Sequence, residues 1–362
     1  MARICALVTV LTRLLRRVTA SPPVTAASVA RSDDITVVIP ARDEAARIGP
    51  AIRAVIDAPG VREVVVVDDQ SSDGTGSLAA ANGARVVDAG ERPVGWAGKT
   101  WAVERGLDAA HTTWVLMLDA DTRADPRLPS AAVSRAIDDR LDLLSVAGRF
   151  RPGRPGAQWL HASLLAALVY RFGSPGSGGR IVANGQCMLV RREAWRAHDG
   201  MAAVADSVVE DVALARWMVS SGARVAFLDA TDLLEVEPYG SLAATWAGWG
   251  RSIGLAGVDP LARRLLDVVV LALVMPVPVV RMLIGRADVI DLAAVVTRLG
   301  VLAGTRVAYV ERGASYWLSP VADPLAIAAL VTGLVRRRQT WRGRSYDLPV
   351  GSAVSRRRTA AR

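Results

Sequence analysis

Two acidic motifs follow apolar runs that are typical of buried strands. The segment EVVVVDD ends in Asp68 and Asp69, and the segment LDADT carries Asp119 and Asp121. Side chains at positions i and i+2 of an extended strand share a face, so we expect Asp119 and Asp121 to point the same way. Two carboxylates on one face suit a hard cation, Mg²⁺ or Mn²⁺, that keeps positions open for phosphate oxygens. A solvated turn after a strand is the alternative for this pair.

Five further acidic residues lie at the predicted ends of strands or starts of helices. Asp68 and Asp69 could accept hydrogen bonds from a base edge or from ribose hydroxyls. Glu210 and Asp211 lie in the first turn of a predicted helix, where acids are favoured by the helix dipole. Their functional interpretation is a general base held close to the metal site. Asp73 is predicted to be the N-cap of the helix that follows it.

A phosphate-bearing ligand would need basic groups, because the sequence has neither GxxxxGK[ST] nor GxGxxG after its first predicted strand. Lys99, the only lysine of the chain, opens a predicted helix and is one candidate. Arg251 in the segment GWGRSIG is another, and an ordinary surface charge is the alternative for both. The three histidines have no matching Ser/His/Asp layout, which argues against a hydrolase triad.

The elements that would position these residues alternate between strand and helix. Strands are predicted at 35–41, 62–69, 84–89, 113–122, 186–192 and 223–230, and helices at 43–60, 73–83, 98–111, 159–172 and 207–222. This alternation predicts an α/β fold on a mostly parallel sheet that is covered on both faces. Ligands of such sheets bind at the carboxyl ends of the strands. We therefore expect Arg42–Glu44, the 68–69 pair and the 119–121 pair to converge.

The second half of the chain predicts an association with a membrane. Apolar segments occupy 265–284, 287–310 and 317–335; the first and third could span a bilayer, and the second could span it or lie in its interface. A buried helical subdomain is the alternative. Residues 4–18 form a shorter apolar run that three arginines interrupt, which predicts an interfacial anchor or a disordered leader.

The net charge of +9 is concentrated in the two ends of the chain. Residues 1–31 and 336–362 together carry +13, which leaves −4 for residues 32–335. A nucleic-acid-binding domain would place its positive patch on the folded body, so the charge argues against nucleic acid. Basic segments beside apolar ones indicate a cytoplasmic membrane face with anionic lipid. Cys5 and Cys187 are too few and too far apart to predict a disulfide framework.

Five ordered motifs resemble family 2 glycosyltransferases with the GT-A fold over about residues 35–255. They are VVIPARDEAARI, VVVVDDQSSDGT, GKTWAVERGL, LDADT and VVEDVALARWMVSSG. The resemblance implies inverting transfer from a nucleotide-sugar donor, usually linked to UDP, with a divalent metal. It implies a nucleoside site lined by Ala41, Arg42, Glu44, Asp68 and Asp69. It also implies that Asp119 and Asp121 hold the metal diphosphate and that Asp211 is the base.

The sequence departs from that family in two places. Asp43 stands where Asn is usual, and the segment TWAGWGRSIG replaces the Q-x-x-R-W of processive polysaccharide synthases. The second departure indicates one sugar per event and leaves Arg251 as a stand-in for the motif arginine. The domains expected are thus an anchor or leader (1–31), a GT-A domain (32–255), membrane-associated helices (256–335) and a basic cytoplasmic tail (336–362).

The acceptor is expected to be a lipid. The segments GWAGKTWA, ANGQCMLVRREAW, VVEDVALA and TWRGRSY are similar to membrane-bound enzymes that glycosylate carotenoids and hopanoids. Helix 159–172 and loop 173–180 would then form the acceptor entrance, or the helix would only pack. The remaining alternatives are a polyprenyl-phosphate glycosyltransferase and a non-catalytic nucleotide-sugar-binding membrane scaffold.

Overall fold

Seven strands form the main sheet of the protein. The computed structural model describes residues 1–15, 21–26, 34–176, 180–335, 338–341 and 344–347. In chain order the strands are β1 (Ile35–Ala41), β2 (Val61–Asp68), β3 (Arg85–Asp88), β4 (Trp114–Leu118), β5 (Thr122–Ala124), β6 (Leu143–Ala147), β7 (Arg149–Phe150), β8 (Cys187–Arg191), β9 (Val225–Asp229), β10 (Leu234–Val236), β11 (Arg338–Trp341) and β12 (Arg344–Asp347). The order in the main sheet is β3-β2-β1-β4-β8-β6-β9.

The main sheet is mostly parallel, as the sequence predicts. Only β8 runs against its neighbours β4 and β6, while the other adjacent pairs of this sheet are parallel. The reversal of β8 and the existence of β6 were not predicted. Because β8 is antiparallel to β4 and β6, its first residue lies at the edge of the sheet where β4 and β6 end. The segment that leads into β8 therefore lies at that edge.

A second sheet of three short strands, in the order β5-β10-β7, adjoins the main sheet. The predicted strand 113–122 therefore divides into β4 and β5, and residues 119–121 connect the two sheets. In this connection the amide of Thr122 donates to the carbonyl of Asp119 at 3.1 Å. The expectation that Asp119 and Asp121 share a face of an extended strand is thus wrong in its geometry, because the backbone turns between them.

Fourteen α-helices are found in the described part of the chain. They are α1 (Ala2–Leu15), α2 (Ala45–Arg53), α3 (Thr75–Ala81), α4 (Gly98–Ala109), α5 (Leu128–Asp138), α6 (Pro155–Phe172), α7 (Arg192–Ala197), α8 (Glu210–Ser220), α9 (Leu242–Ser252), α10 (Leu261–Val274), α11 (Pro276–Leu283), α12 (Val289–Thr305), α13 (Ala314–Trp317) and α14 (Asp323–Val335). The predicted helix 43–60 is shorter than expected, since α2 contains Pro50 and ends at Arg53.

Both faces of the main sheet are buried, which explains its continuous apolar strands. Val37 and Ile39 of β1 pack into a core with residues of α2 and α5. Val38, between them, packs on the opposite face with residues of α4 and α8. Because successive side chains of a strand alternate between faces, a strand covered on both sides has to be apolar at every position.

Five helices form a separate helical layer: α1, α6, α10, α12 and α14. Their buried apolar side chains belong to one cluster. Within it α6 is buried along most of its length, which favours the packing alternative over an acceptor entrance for this helix. Large apolar side chains remain exposed on its outer side: Ile4, Val8, Leu11, Leu265, Leu266, Val269, Leu283, Leu292, Val296 and Leu299.

One stretch of the described chain, Leu261–Leu283, is long and apolar enough to cross a membrane, and a third of it is buried. It comprises α10 and α11. Helix α12 has 17 residues, and the apolar stretch Ser319–Leu334 is also shorter than a span. The prediction of several C-terminal membrane spans is therefore not confirmed. The basic tail 336–362 lies mostly outside the described residues, and the domain boundaries stay predictions.

Candidate active site

The carboxyl ends of β1 and β2 bring the predicted nucleoside-site residues together. Ala41 and Asp68 are partners in the register of the two strands. The amide of Asp69 donates to the carbonyl of Ala41 at 2.9 Å, and Arg42 Nη1 donates to the carbonyl of Asp69 at 2.8 Å. Asp69 is 2% exposed, so its carboxylate is held inside this rim. The ends of β1 and β2 therefore converge as a parallel sheet predicts.

The loop after β1 is fixed to the start of α3. The amide of Glu44 donates to Thr75 Oγ1 at 2.9 Å, and Glu44 Oε2 accepts from a nearby arginine. Asp43, with a φ of 53°, accepts from an amide of the facing loop. Asp73 is not the N-cap, which is Gly74; its carboxylate instead accepts from the amides of Thr75 and of the first residue of α2.

A lysine and two carboxylates form the centre of the site. Lys99 Nζ lies 2.8 Å from Asp119 Oδ1 and 3.1 Å from Glu210 Oε1. The three residues come from the start of α4, the end of β4 and the start of α8, so this contact joins three elements. Burial by itself lowers the pKa of Lys99, but the charges of Asp119, Glu210 and Asp211 outweigh it and raise the pKa above its ordinary value. Lys99 is therefore a fixed cation.

Asp211 is held by two backbone donors at the start of α8. The amide of Gly185 donates to Oδ2 and the amide of Val212 to Oδ1, each at 2.8 Å. Burial and then the negative charge of Glu210 raise the pKa of Asp211 to about 7. A carboxylate with a pKa near neutrality is suited to general-base chemistry. Asp211 and Glu210 therefore lie where the sequence predicts a base, next to Lys99.

Gly185 was missed by the sequence analysis, although it lies in the motif ANGQCMLVRREAW. A Cβ at this position would lie 3.2 Å from Asp211 Cβ and 3.3 Å from Lys99 Nζ. The missing side chain leaves room for both groups. The only sequence signal was a glycine just before a predicted strand, which also fits an ordinary turn.

Asp121 is the second carboxylate of the predicted metal pair. Its Oδ1 is buried and has no hydrogen-bond partner among the described residues. Burial and then the negative charge of Asp119 raise the pKa of Asp121 to about 7, and the positive charge of Arg47 opposes this. Arg47 was not predicted, although it belongs to the motif VVIPARDEAARI.

The donor set fits a cation that also binds a ligand. No group of three or more His, Cys, Asp or Glu side chains is placed to hold a metal in the part of the chain that the structure describes. Two carboxylates with phosphate oxygens are nevertheless a common Mg²⁺ site, and the unpartnered oxygen of Asp121 suits this use. Arg251 lies in α9, and its side chain is outside the described residues.

Comparison with known proteins identifies the domain that contains this rim. The model of the family described as "Glycosyl transferase family 2" matches residues 36–197. These residues are a family 2 glycosyltransferase domain. It contains the rim of β1, β2 and β4 together with Lys99 and Gly185. Glu210, Asp211 and Arg251 follow the matched part of the glycosyltransferase domain in the chain.

Curated relatives match part of this chain. The 4,4'-diaponeurosporenoate glycosyltransferases of Staphylococcus aureus strains USA300 and NCTC 8325 / PS 47 are 38% identical over 88 residues. This match covers 24% of this chain and 24% of each relative. The chain thus spans about a quarter of the length of these relatives.

Solved structures also resemble this chain. One, described as "Crystal Structure of a Mycobacterial Protein", is 24% identical, covers 66% of this chain and 83% of its own, and has a TM-score of 0.47. Another is glucosyl-3-phosphoglycerate synthase from Mycobacterium tuberculosis in complex with Mn²⁺, UDP-glucose and phosphoglyceric acid. It is 23% identical, covers 61% of this chain and 77% of its own, and has a TM-score of 0.44.

Proposed function

We propose that this chain is an inverting, non-processive glycosyltransferase. It moves one sugar from a nucleotide-sugar donor, a UDP-hexose, to a lipid acceptor in the membrane. The observation that carries this proposal is the placement of Asp211 beside the Lys99–Asp119 ion pair, at the edge where β4 ends. The contacts of Lys99 with Asp119 and Glu210 and the raised pKa of Asp211 support this proposal.

The nucleoside of the donor would bind at the ends of β1 and β2. Asp68 and Asp69 supply carboxylates that accept from a base edge or from ribose hydroxyls. Ala41 and Arg42 hold the backbone of this rim in place, because both make hydrogen bonds with Asp69. Glu44, at the start of α2, borders the same side.

Asp119 and Asp121 would hold Mg²⁺ or Mn²⁺ together with the diphosphate. When bound, the ion neutralises the charge that develops on the leaving diphosphate. Lys99 lies next to Asp119 and adds a positive charge to this region. Arg251 is proposed as a further contact to the diphosphate on the basis of its motif alone.

Asp211 acts as the general base in a single in-line displacement. The bond between an acceptor oxygen and the anomeric carbon forms while the bond from that carbon to the diphosphate oxygen breaks. The hydroxyl proton moves to Asp211, and the nucleoside diphosphate leaves with the electron pair. An acceptor carboxylate is already ionised, and with such an acceptor Asp211 would orient rather than deprotonate.

The acceptor is proposed to be a carotenoid or a hopanoid, at the cytoplasmic face of the cell membrane. The partial relatives are named for a carotenoid acid, 4,4'-diaponeurosporenoate. The exposed apolar side chains of α1, α10 and α12 would place the helical layer against lipid. A polyprenyl phosphate, as acceptor, is the second candidate because it occupies the same membrane.

Titration calorimetry with UDP, with and without Mn²⁺, tests the donor site. We expect UDP binding that strengthens with Mn²⁺ in the wild type and loses this Mn²⁺ dependence in Asp121→Asn. UDP binding to the wild type that is equally strong with and without Mn²⁺ would contradict the metal site. No UDP binding at all would favour a non-catalytic membrane scaffold. Turnover assays with UDP-glucose and either a carotenoid acid or a polyprenyl phosphate in vesicles then distinguish the two acceptors.

A further inference from the structure

A cluster of buried and half-buried charges lies behind Asp211, between the glycosyltransferase domain and the helical layer. We call it the Asp259 cluster; it consists of Arg171, Arg180, Arg216, Asp259 and Asp267. Asp259 is 4% exposed and Asp267 is 1% exposed. Asp259 lies in the connection between α9 and α10, and Asp267 lies in α10. Buried charges are costly unless they are paired, so the position of each member depends on the others.

Asp259 binds two arginines from different elements through its two oxygens. Arg216 of α8 donates from Nη1 to Asp259 Oδ1 at 2.8 Å. Arg180, in the segment before β8, donates to Asp259 Oδ2 and also to Asp267 Oδ2, the latter at 3.0 Å. Arg216 additionally donates from Nε to the carbonyl of Ile181 at 3.1 Å. One carboxylate therefore ties α8 to the segment 180–186.

Helix α8 and the segment 180–186 are also the two elements that hold the side chain of Asp211 in place. Helix α8 carries Asp211 itself, five residues before Arg216. The segment 180–186 carries Gly185, whose amide donates to Asp211 Oδ2 at 2.8 Å. Its neighbour Asn184 is in turn bound to Ser145 of β6, because its amide donates to Ser145 Oγ at 2.7 Å. A pairing on the far side of α8 thus joins the two elements that carry the carboxylate and its backbone donor.

We propose that Asp259 is a positioning residue for Asp211. It acts through Arg216 and Arg180, and it makes the geometry of the base depend on how α10, which begins two residues later, packs against the domain. Loss of its charge would leave two guanidinium groups without their shared carboxylate and would weaken the link between α8 and the segment 180–186. The inference rests on the proposed role of Asp211 as base.

The test compares two buried aspartates in the full-length protein in detergent. Asp259→Asn keeps the shape of the side chain and removes its charge. The matched control is Asp323→Asn: Asp323 is 1% exposed and binds Arg298 Nε at 2.9 Å in the helical layer, away from α8. Hydrogen exchange is measured on the peptide containing Gly185 with UDP and Mn²⁺ present. We expect exchange about tenfold faster in Asp259→Asn and unchanged in Asp323→Asn.

Steady-state kinetics give the second readout, with UDP-glucose as donor and a carotenoid that bears a hydroxyl group, in vesicles, as acceptor. We expect Asp259→Asn to lower kcat by about tenfold or more while KM for UDP-glucose stays within about twofold, since small misplacements of reacting groups are costly. Asp259→Asn combined with Arg216→Gln should cost little more than either change alone. Should Asp259→Asn fail to fold, Arg216→Lys tests the same contact.

Unchanged exchange at Gly185, or an equal change in Asp323→Asn, would overturn the inference. The proposed function fails separately. If Asp211→Asn keeps full turnover while Asp259→Asn speeds exchange at Gly185, the base assignment is wrong and the positioning contact stands. If Asp211→Asn is inactive and Asp259→Asn behaves like the wild type in both readouts, the contact does not position the base.

Discussion

Glu104, in the middle of α4, gives the protein a stability that depends on pH. Burial raises the pKa of Glu104 from its ordinary value of 4.5 to about 7, and the negative charge of Asp108 adds to this. The amide of Met201, which donates to Oε2 at 2.9 Å, opposes the shift. Between pH 4.5 and 7 the unfolded chain loses this proton while the folded chain keeps it. The free energy of unfolding therefore falls as pH rises through this window.

The size of the effect follows from the two pKa values. At about 1.36 kcal/mol per pKa unit, the difference between 4.5 and about 7 corresponds to at most about 3 kcal/mol. Because Glu104 is only half-buried, solvent screening reduces this to about 1–2 kcal/mol. Glu104→Gln removes the ionisation and keeps an oxygen that accepts from Met201. We expect it to stabilise the protein by about 1–2 kcal/mol at pH 8 and to leave stability unchanged at pH 4.5.

Urea unfolding of the detergent-solubilised protein, followed by tryptophan fluorescence at pH 4.5 and pH 8, measures this difference. Glu193→Gln is the control, because the side chain of Glu193 is 83% exposed and should change stability little at either pH. The prediction is wrong if the difference in free energy of unfolding between Glu104→Gln and the wild type is the same at pH 4.5 and pH 8. It is also wrong if the variant is less stable than the wild type at pH 8.

Three predictions concern turnover. Asp211→Asn should abolish transfer to a hydroxyl acceptor while UDP binding by calorimetry survives; normal turnover would remove Asp211 from the mechanism. Since the pKa of Asp211 is raised to about 7 and a base must be ionised, wild-type kcat with a hydroxyl acceptor should fall about tenfold per pH unit below 7, and a flat profile from pH 5.5 to 8 with that acceptor would contradict this. Gly185→Ala should lower kcat by about tenfold or more, because its Cβ crowds Asp211 and Lys99. Gly240→Ala, with nothing within 4 Å of the added Cβ, is the control and should match the wild type.

The rim of the site could be predicted from the sequence because its signal is local. A run of valines ending at Asp68 gives both the strand and the place where it ends. Once parallel strands are inferred, their carboxyl ends have to meet at one edge. The positions of Asp119, Asp211 and Lys99 could be predicted in the same way, because each residue lies at the end of a strand or at the start of a helix.

The parts that could not be predicted depend on contacts between distant segments. Nothing local to Cys187–Arg191 says that this strand enters the sheet in the reverse direction, and that reversal is what places Gly185 against Asp211. The division of the apolar stretch Leu261–Leu283 into two helices at Met275 is different, because Pro276, the first residue of α11, is a local signal that interrupts a helix. The turn at Asp119 was misjudged because a neighbouring sheet, rather than the strand itself, determines where the chain goes next.

The connection between the two sheets has a consequence for metal choice. The amide of Asp119 donates to the carbonyl of Gln186 beside β8, whereas the carbonyl of Asp121 accepts from the amide of Glu237 beside β10. The backbone of Asp119 is thus attached to the main sheet and that of Asp121 to the second sheet, with only Ala120 between the two residues. A small rotation of one sheet relative to the other would change the distance between the carboxylates of Asp119 and Asp121. Ion selectivity would therefore respond to substitutions in β10 or β7 that touch neither carboxylate.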